Sequence, residues 1–486
     1  MRKLLAYLSK YWLAHWLFIA FFFIHGFSLY LDWLKTPIVA IYFIMALTIT
    51  GISQIILTRI LLSSLKASVA LCLAIWLVMY FNFNHSIFIK LTHLRFSSVY
   101  MLGIVALIFG AFIIYIKRKQ EVQLQKLASY LNLLFLIFIL IDAGKIVYME
   151  INRKPPVSYD SANEVQITRK VSTDSLPDIY FIVLDEHMST KGMKSHFQFD
   201  NTALDSFLVN QGFYIANSSK SNYSQTVFSI ASTLQMNYFQ ALTKVIFPDD
   251  NPLGIAAMKE NTLLSILEKN GYCIRNYSLF DFKNHPTRHF KFFEHSAFHF
   301  YFSQSLINQI NIAYETLTPQ RHRRQLYQLI ENALQVDDVA SQPTFTYLHL
   351  VLPHHPFIFK ADGSIRSAKN YHSKKDPDYV KNYLQQVTFT RKVIQEIVGR
   401  INKSNRNKII VLEGDHGLRL PKFNRGNWYE AYQKAGGPYK NLNAYYFYDK
   451  KYTQLYDSIS PVNSFRVISN QYLGASCSLI PDQQLF

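Results

Sequence analysis

The sequence predicts two fold classes in one chain: an α-helical transmembrane bundle, followed by an α/β domain whose mostly parallel sheet is sandwiched between helices. Three observations predict this. Apolar residues are concentrated before about residue 150, and beyond it short β-rich runs alternate with helical patterns. Several of these runs end abruptly in residues that could bind a metal, and ligand sites of α/β sheets lie at that position.

The predicted membrane domain covers residues 1–150. Five apolar segments in it approach the roughly 20 residues that a helix needs to cross a bilayer. They lie near Trp12–Tyr30, Ile38–Leu57, Ala67–Phe83, Val99–Ile116 and Leu127–Tyr148. The third is short, and without it the predicted orientation of everything that follows would reverse. The first is long, bulky and followed at once by further spans, which disfavours a cleaved signal peptide.

Basic residues in the loops predict the orientation of these spans. One set of alternate loops has many of them: Arg2, Lys3, Lys10, Arg59, Lys66, Lys117, Arg118, Lys119 and Lys126. The opposite set has only Lys35, Lys90 and Arg95. By the positive-inside rule the N-terminus is cytoplasmic, and five spans place everything after Tyr148 outside. We therefore expect a multi-pass protein of the inner or plasma membrane with a periplasmic or extracellular domain.

A polar stretch at residues 151–176 predicts a juxtamembrane linker, and residues 177–486 are long enough for one exported domain with its own core. Its predicted elements, in order, are strand Asp178–Leu184, helix Ala203–Asn210, strand Phe213–Ala216, helices Val227–Tyr238 and Ile255–Lys269, strands Tyr272–Tyr277 and Phe345–Val351, helix Asp378–Ile401, strands Ile409–Leu412 and Asn443–Tyr448, and helix Val462–Tyr472. Residues 281–330 fit this alternation badly and are predicted to be an insertion.

The formal net charge of +18 favours anionic partners. An exported domain rarely meets nucleic acid, so we expect none as a partner. Anionic lipid headgroups or phosphorylated surface glycans are the more plausible partners, although part of the charge belongs to the loops that set topology. Cys273 and Cys477 could pair in an oxidising compartment, and the sequence does not decide whether they do.

Two predicted strands end in acidic residues. Asp185 and Glu186 follow the first strand, where a carboxylate can bind a metal or cap the next helix. Asp415 and His416 follow the strand that begins at Lys408, in the sequence GDHG. Asp and His side by side supply an oxygen and a nitrogen ligand, the types that a divalent metal ion binds.

A hydroxyl-rich segment, SNYSQTVFSIASTLQM at Ser221–Met236, leads into a predicted helix. A hydroxyl at a helix N-terminus is well placed to act as a nucleophile, because the backbone N–H groups there stabilise a phosphate or an alkoxide. Thr226 is the predicted nucleophile. The alternative is that Ser224 or Thr226 only caps the helix.

The segment YLHLVLPHHPF at Tyr347–Phe357 contains three histidines. The alternation of side chains along a strand sends His349 to one face of the sheet. His354 and His355 follow the strand between two prolines, which fix the turn and keep it out of the sheet. A pair of histidines in a rigid turn after a buried strand favours a substrate or metal role as much as a structural one.

With these four elements in this order, the chain resembles the alkaline phosphatase/sulfatase superfamily, in its membrane-anchored branch of phosphoethanolamine transferases and lipoteichoic acid synthases. PDIYFIVLDEH resembles the opening strand with its metal carboxylate, SNYSQTVFSIAS the nucleophile segment, and GDHG the metal pair. The resemblance covers about residues 178–472 and implies an alkaline phosphatase/sulfatase-like fold. Sulfatases require a Cys or Ser in a C-x-P-S-R-like context, which is absent here, so sulfate ester hydrolysis is disfavoured.

The resemblance implies one divalent metal ion, with zinc favoured and manganese or magnesium possible. Its expected ligands are Asp185, Thr226, Asp415 and His416, and Glu186 is an alternative ligand. No second set of Asp and His residues is evident for a two-metal site. No other cofactor is expected.

The implied reaction moves a phosphoethanolamine or phosphoglycerol type headgroup from a phospholipid to a surface glycan. Thr226 would carry the headgroup as a phosphothreonine ester, and His354 or His355 would stabilise charge on the phosphoryl oxygens or protonate the leaving oxygen. Two alternatives remain open. The domain could be an exported metal-dependent phosphodiesterase, phosphatase or sulfatase-like hydrolase, or a non-catalytic membrane binding protein.

Overall fold

The structure is a computed structural model that describes residues 12–29, 36–93, 98–152, 166–167, 171, 175–239, 251–288, 298, 301–318, 320–335, 342–366, 378–421 and 427–485. Two compact units divide the chain. One consists of Met1–Lys154 and Lys291–Glu315, and the other of Pro155–Phe290 and Thr316–Phe486.

The first unit is built from apolar helices: α1 (Ala14–Leu29), α2 (Thr36–Leu61), α3 (Ser64–Met79), α4 (Phe81–Thr92), α5 (Ser98–Arg118) and α6 (Glu121–Ile151). Among the described residues, three of them are long and apolar enough to cross a membrane, namely α2, α5 and α6. The pair α3 and α4 is bent by 78° and makes a fourth if it is counted as one span. Helix α1 is apolar but has only 16 residues, so the five-span arrangement stays a prediction.

A segment from the expected insertion packs in the first unit. Phe298, Tyr301 and Phe302 are buried with aromatic residues of α1 and α2. The Tyr301 hydroxyl donates to the backbone oxygen of Phe23 at 2.8 Å, and its ring fills the place that a side chain at Gly26 would need. These contacts lie at the C-terminal end of α1.

The second unit is the predicted α/β domain. Its six-stranded sheet consists of β2 (Asp178–Leu184), β3 (Tyr214–Ile215), β4 (Cys273–Tyr277), β5 (Thr344–Leu350), β6 (Lys408–Gly414) and β7 (Asn443–Phe447), in the spatial order β3-β7-β6-β2-β5-β4. The four strands β6, β2, β5 and β4 are parallel, whereas β7 is antiparallel to both of its neighbours. Two short strands, β1 (Gln166–Ile167) and β8 (Ala475–Ser476), form a separate pair.

Helices cover both faces of this sheet. The helices of this unit are α7 (Thr190–Phe197), α8 (Thr202–Asn210), α9 (Thr226–Gln235), α10 (Asn251–Lys259), α11 (Thr262–Lys269), α13 (Gln320–Ala333), α14 (Tyr379–Ile401), α15 (Asn427–Lys434) and α16 (Pro461–Tyr472), and α12 (Leu306–Leu317) belongs mostly to the first unit. Ile394 of α14 packs with Ile182 of β2, whereas Phe465 of α16 packs edge-on against Phe181, on the opposite face, with ring centroids 5.1 Å apart. Every residue of β2, β5 and β6 is buried, as expected for strands covered on both sides.

A local prediction was wrong. The helix expected at Ile255–Lys269 is two helices, because Asn261 ends the first and caps the second by accepting a hydrogen bond from the backbone N–H of Leu264 at 2.8 Å. Cys273 and Cys477 are both free thiols.

Candidate active site

The site lies at the carboxyl ends of the three central strands. Leu184, the last residue of β2, pairs with Leu350 of β5 on one side and with Gly414 of β6 on the other. Asp185 and Asp415 therefore leave the sheet side by side. Since all three strands are parallel, their polar end residues converge at one edge, where α/β sheets bind ligands.

Three buried side chains at this edge form a group that fits a metal ion. Asp185, His349 and Asp415 each offer one ligand atom, and these atoms all lie within 4.8 Å of one another. In the part of the chain that the structure describes, Asp185 Oδ1, His349 Nε2 and Asp415 Oδ2 have no hydrogen-bond partner. Leaving buried polar atoms unpaired is costly unless something binds them. Two carboxylates and an imidazole fit a divalent cation.

His349 belongs to this group although the sequence did not single it out as a ligand. It is the second-last residue of β5, and its Nδ1 lies 3.0 Å from the hydroxyl of Tyr347, two residues earlier on the same face of the strand. The Tyr347 ring is itself stacked between Phe181 and Phe282, with centroids 5.0 and 5.7 Å away. The hydroxyl orients the imidazole, so that Nε2 faces the carboxylates.

Asp415 is held by backbone groups through one oxygen, and its other oxygen, Oδ2, lies 3.3 Å from His416 Nε2. Its Oδ1 accepts hydrogen bonds from the backbone N–H groups of Glu186 and His416, both at 2.9 Å. Burial and the neighbouring Asp185 raise the pKa of Asp415 to about 6. Burial tends to raise the pKa of Asp185 as well. The nearby His354 and His349 outweigh this effect and hold the pKa of Asp185 well below its usual range. A bound cation would favour the ionised form of both carboxyl groups.

His416 and Thr226 meet at this site. The Nδ1 of His416 lies 2.8 Å from the backbone oxygen of Gly417, to which it donates, so Nε2 is free to accept. Thr226 Oγ1 lies 3.2 Å from that Nε2. Burial lowers the pKa of His416 to about 4, so the imidazole is neutral near pH 7. A neutral imidazole can bind a cation or accept a hydrogen bond through Nε2.

Thr226 is the first residue of α9, as the sequence predicted for the start of this helix. The helix is joined to the Asp415–His416 segment, because the Ser229 hydroxyl donates to the backbone oxygen of Asp415. Ser221 is buried, and its hydroxyl donates to the backbone oxygen of Tyr223 at 3.0 Å. Ser224 bonds to the Tyr439 hydroxyl. Of the three hydroxyl residues Ser221, Ser224 and Thr226, Thr226 is the one beside His416.

The two histidines of the PHHP turn have different surroundings. His354 Nε2 lies 3.9 Å from Glu186 Oε1, and the carboxylates of Asp185 and Glu186 raise the pKa of His354 although burial opposes this. His355 instead stacks on Tyr379 with ring centroids 6.0 Å apart. His354 is therefore the one of the two that faces the acidic group.

Glu186, the alternative metal ligand, has another partner. Its Oε1 accepts hydrogen bonds from Arg419, at 3.2 Å from Nε and 3.4 Å from the backbone nitrogen. Sequence reasoning missed Arg419, because a basic residue four positions after Asp415 matches no motif. No local signal links it to Glu186, 233 positions earlier.

Two glycines allow the close packing around Asp415 and His416. A Cβ at Gly414 would lie 2.1 Å from the backbone oxygen of His187, and a Cβ at Gly417 would lie 2.3 Å from that of Gly437. Any side chain at either position would push neighbouring backbone away. The sequence GDHG is thus required by the space around the metal pair as well as by its chemistry.

Residues 174–470 match the family model described as sulfatase. Comparison with curated protein sequences gives no match. The integral membrane protein lipooligosaccharide phosphoethanolamine transferase A from Neisseria meningitidis is a similar solved structure, with 13% identity, a TM-score of 0.40, and coverage of 100% of this chain and 96% of that one.

Two solved structures of isolated domains are also similar. The soluble domain of the Neisseria meningitidis transferase has 12% identity and a TM-score of 0.41, with coverage of 68% of this chain and 96% of that one. The C-terminal periplasmic domain of EcEptC from Escherichia coli, in complex with zinc, has 11% identity and a TM-score of 0.39, with coverage of 68% and 90%.

Proposed function

The chain belongs to the sulfatase family and is an enzyme, a phosphotransferase or a hydrolase, and from that premise we propose that it transfers a phospho-headgroup from a phospholipid to a surface glycan. The transferred group would be of the phosphoethanolamine or phosphoglycerol type. A phosphothreonine ester on Thr226 would carry it between donor and acceptor.

One observation carries this proposal: a hydroxyl at a helix N-terminus lies next to a group of unpaired metal-ligand atoms. Thr226 Oγ1 is 3.2 Å from the neutral His416, and Asp415 is the neighbour of His416 in the chain. The first N–H groups of α9 have no partner within the helix and can stabilise an anionic group on Thr226. A hydroxyl that only capped the helix would need none of these neighbours.

Asp185, Asp415 and His416 would hold the divalent ion, as the sequence suggested, and we add His349 because of its place in the group of ligand atoms. The ion, when bound, would supply positive charge that polarises a phosphoryl oxygen and lowers the pKa of a neighbouring hydroxyl. Glu186 stays an alternative ligand, because Arg419 bonds to its Oε1 while its buried Oε2 has no hydrogen-bond partner among the described residues.

The transfer has two steps in this proposal. Thr226 Oγ1 forms a bond to phosphorus and loses its proton to water, while the bond between phosphorus and the diacylglycerol oxygen breaks. His354, whose pKa is raised, gives a proton to the departing oxygen. In the second step an acceptor hydroxyl attacks phosphorus and passes its proton to His354, and the Thr226 oxygen leaves and takes a proton from water.

The membrane helices favour a lipid as the donor. A site carried on the same chain as a membrane unit works at a high effective concentration of any substrate that resides in the bilayer. The net charge of +18 favours an anionic membrane surface and an anionic glycan in the same way.

The test uses the full-length protein in vesicles that contain phosphatidylethanolamine labelled in its headgroup, with and without a purified surface glycan. We expect label to appear on the glycan and diacylglycerol to appear in equal amount. Label released only as free phosphoethanolamine would show that the enzyme is a phosphodiesterase and not a transferase. Retention of all label in lipid, together with turnover of another phosphate ester, would reject the lipid donor.

A further inference from the structure

Arg419 is a cationic residue that bonds to the acidic group of the site through part of its guanidinium. Its Nε donates to Glu186 Oε1 at 3.2 Å, which fixes the plane of the guanidinium. Among the described residues, its two Nη groups have no hydrogen-bond or ion-pair partner. The side chain is 40% exposed, whereas that of Glu186 is 3% exposed. The guanidinium is therefore fixed through Nε, and the fork of its two Nη groups is available to a ligand.

The surroundings place this fork near the reacting groups. Arg419 interacts electrostatically with Glu186, Asp185 and Asp415, which together raise its pKa although burial opposes this. It also contributes to the low pKa of His416, after burial. Arg419 therefore interacts electrostatically with both candidate metal carboxylates and with His416, the partner of Thr226.

Glu186 is shaped for the role of holding Arg419. Its backbone adopts φ = 63°, a conformation that is unfavourable for a residue with a side chain. Two hydrogen bonds fix it there: its N–H donates to Asp415 Oδ1 at 2.9 Å, and its carbonyl oxygen accepts from the Tyr383 hydroxyl at 2.7 Å. In this conformation Glu186 Oε1 accepts the hydrogen bond from Arg419 Nε.

The balance of charge explains why the site needs this arginine. Arg419 interacts with three carboxylates, those of Asp185, Glu186 and Asp415. A divalent cation offsets two negative charges, and a protonated His354, whose Nε2 lies 3.9 Å from Glu186 Oε1, offsets the third. Arg419 adds one further positive charge. The site can then attract a phosphodiester, which carries one negative charge.

We infer that Arg419 binds a non-bridging oxygen of the transferred phosphoryl group through its Nη fork, and that Glu186 is the positioning residue that holds the fork in place. This inference rests on the proposed function for the identity of the group transferred. An arginine suits the task better than a lysine, because its planar fork matches two oxygens of a phosphate at once.

The test measures binding of inorganic phosphate, as well as turnover, in the full-length protein loaded with its metal. Arg419→Met should weaken phosphate binding by at least about tenfold and lower kcat/KM by at least about 100-fold, with the metal content of the wild type. Arg419→Lys should recover part of both losses, because it keeps the charge but not the fork. Glu186→Gln should raise KM more than it lowers kcat, since it loosens the arginine without removing it.

Arg400 provides a matched control. It pairs with Glu396 at 2.7 Å, and its side chain is 37% exposed, close to the 40% of Arg419. Arg400→Met should bind phosphate and turn over as the wild type does. Wild-type phosphate affinity in Arg419→Met would overturn the inference. If Arg419→Met fails to fold, Arg419→Lys decides: an unchanged phosphate affinity and an unchanged KM in that variant would also overturn it.

The outcomes separate this inference from the proposed function. If the wild-type protein binds phosphate through Arg419 but transfers no lipid headgroup, the lipid donor is wrong and the role of Arg419 stands. A protein that transfers the headgroup equally well with methionine at position 419 would keep the transferase and reject the role of Arg419.

Discussion

The Thr226 hydroxyl lies 3.2 Å from Nε2 of His416, although 190 positions separate the two residues in the chain. Thr226 begins α9, and His416 follows the end of β6. The contact brings the N-terminus of a helix to the carboxyl edge of a parallel sheet. Both features stabilise anions or bind ligands, and the proposed chemistry depends on their meeting.

The first prediction concerns the metal ion. Asp415→Asn should weaken binding of a divalent ion by more than the roughly 10- to 100-fold that changes of supporting residues produce, since it removes a charge from the ligand group. Tyr347→Phe, which removes only the hydroxyl bonded to His349, should fall within that roughly 10- to 100-fold range. Titration of the purified protein with zinc after chelation measures both. Full zinc affinity in Asp415→Asn would mean that GDHG is only a turn.

The second prediction concerns Gly414. A Cβ there would lie 2.1 Å from the backbone oxygen of His187, so Gly414→Ala must displace β6 or the chain beside it and should lower the melting temperature and the activity together. Gly399 is the control, because no heavy atom lies within 4 Å of a Cβ at that position in α14. Gly399→Ala should stabilise the protein by up to about 1 kcal/mol. Equal melting temperatures in the two variants would show that the backbone around Gly414 can move aside without a loss of stability.

Much of the fold and part of the site could be predicted from the sequence. The strand Asp178–Leu184 was predicted with its exact bounds, and Thr226 was predicted to lead its helix, because apolar runs and their sharp ends are local signals. His349 could not be identified as a member of the ligand group, since a single histidine in a buried strand is common in cores. The role of Arg419 depends on its bond to Glu186, whose backbone has a positive φ. Nothing in the neighbouring sequence specifies that conformation.

The third prediction concerns stability in acid. Burial lowers the pKa of His187 from 6.5 to about 4, so the folded protein favours its neutral form. Above pH 6.5 neither state binds the proton. As the pH falls toward 4 the unfolded chain binds it and the folded protein does not, so stability is lost by about 1.4 kcal/mol for each unit of pKa shift.

The comparison of wild type with His187→Gln isolates this effect, because His416 shifts stability in the same direction and Asp415 in the opposite one in both proteins. The melting temperature of the metal-free protein in detergent should fall less between pH 7 and pH 4.5 in the variant. Parallel curves for the two proteins would show that His187 takes up a proton in the folded state as easily as in the unfolded chain.

The most direct test of the account asks whether Thr226 becomes covalently modified. Thr226→Ala should lose turnover by several orders of magnitude, because it removes the oxygen that would carry the headgroup. A hydroxyl with only a capping role would cost about 1 kcal/mol of stability and little activity when removed. Thr226→Ser, which keeps the hydroxyl at the same place, should recover part of the turnover. Both variants should retain the metal, since Asp185, Asp415 and His416 are unchanged.

The decisive measurement is peptide mass spectrometry of the full-length enzyme quenched during turnover of a phospholipid donor. We expect a phospho-headgroup on Thr226 that disappears in Thr226→Ala. A headgroup on Ser221 or Ser224 would keep the covalent mechanism and move its site. Wild-type turnover by Thr226→Ala, with no headgroup on the protein, would contradict the central claim.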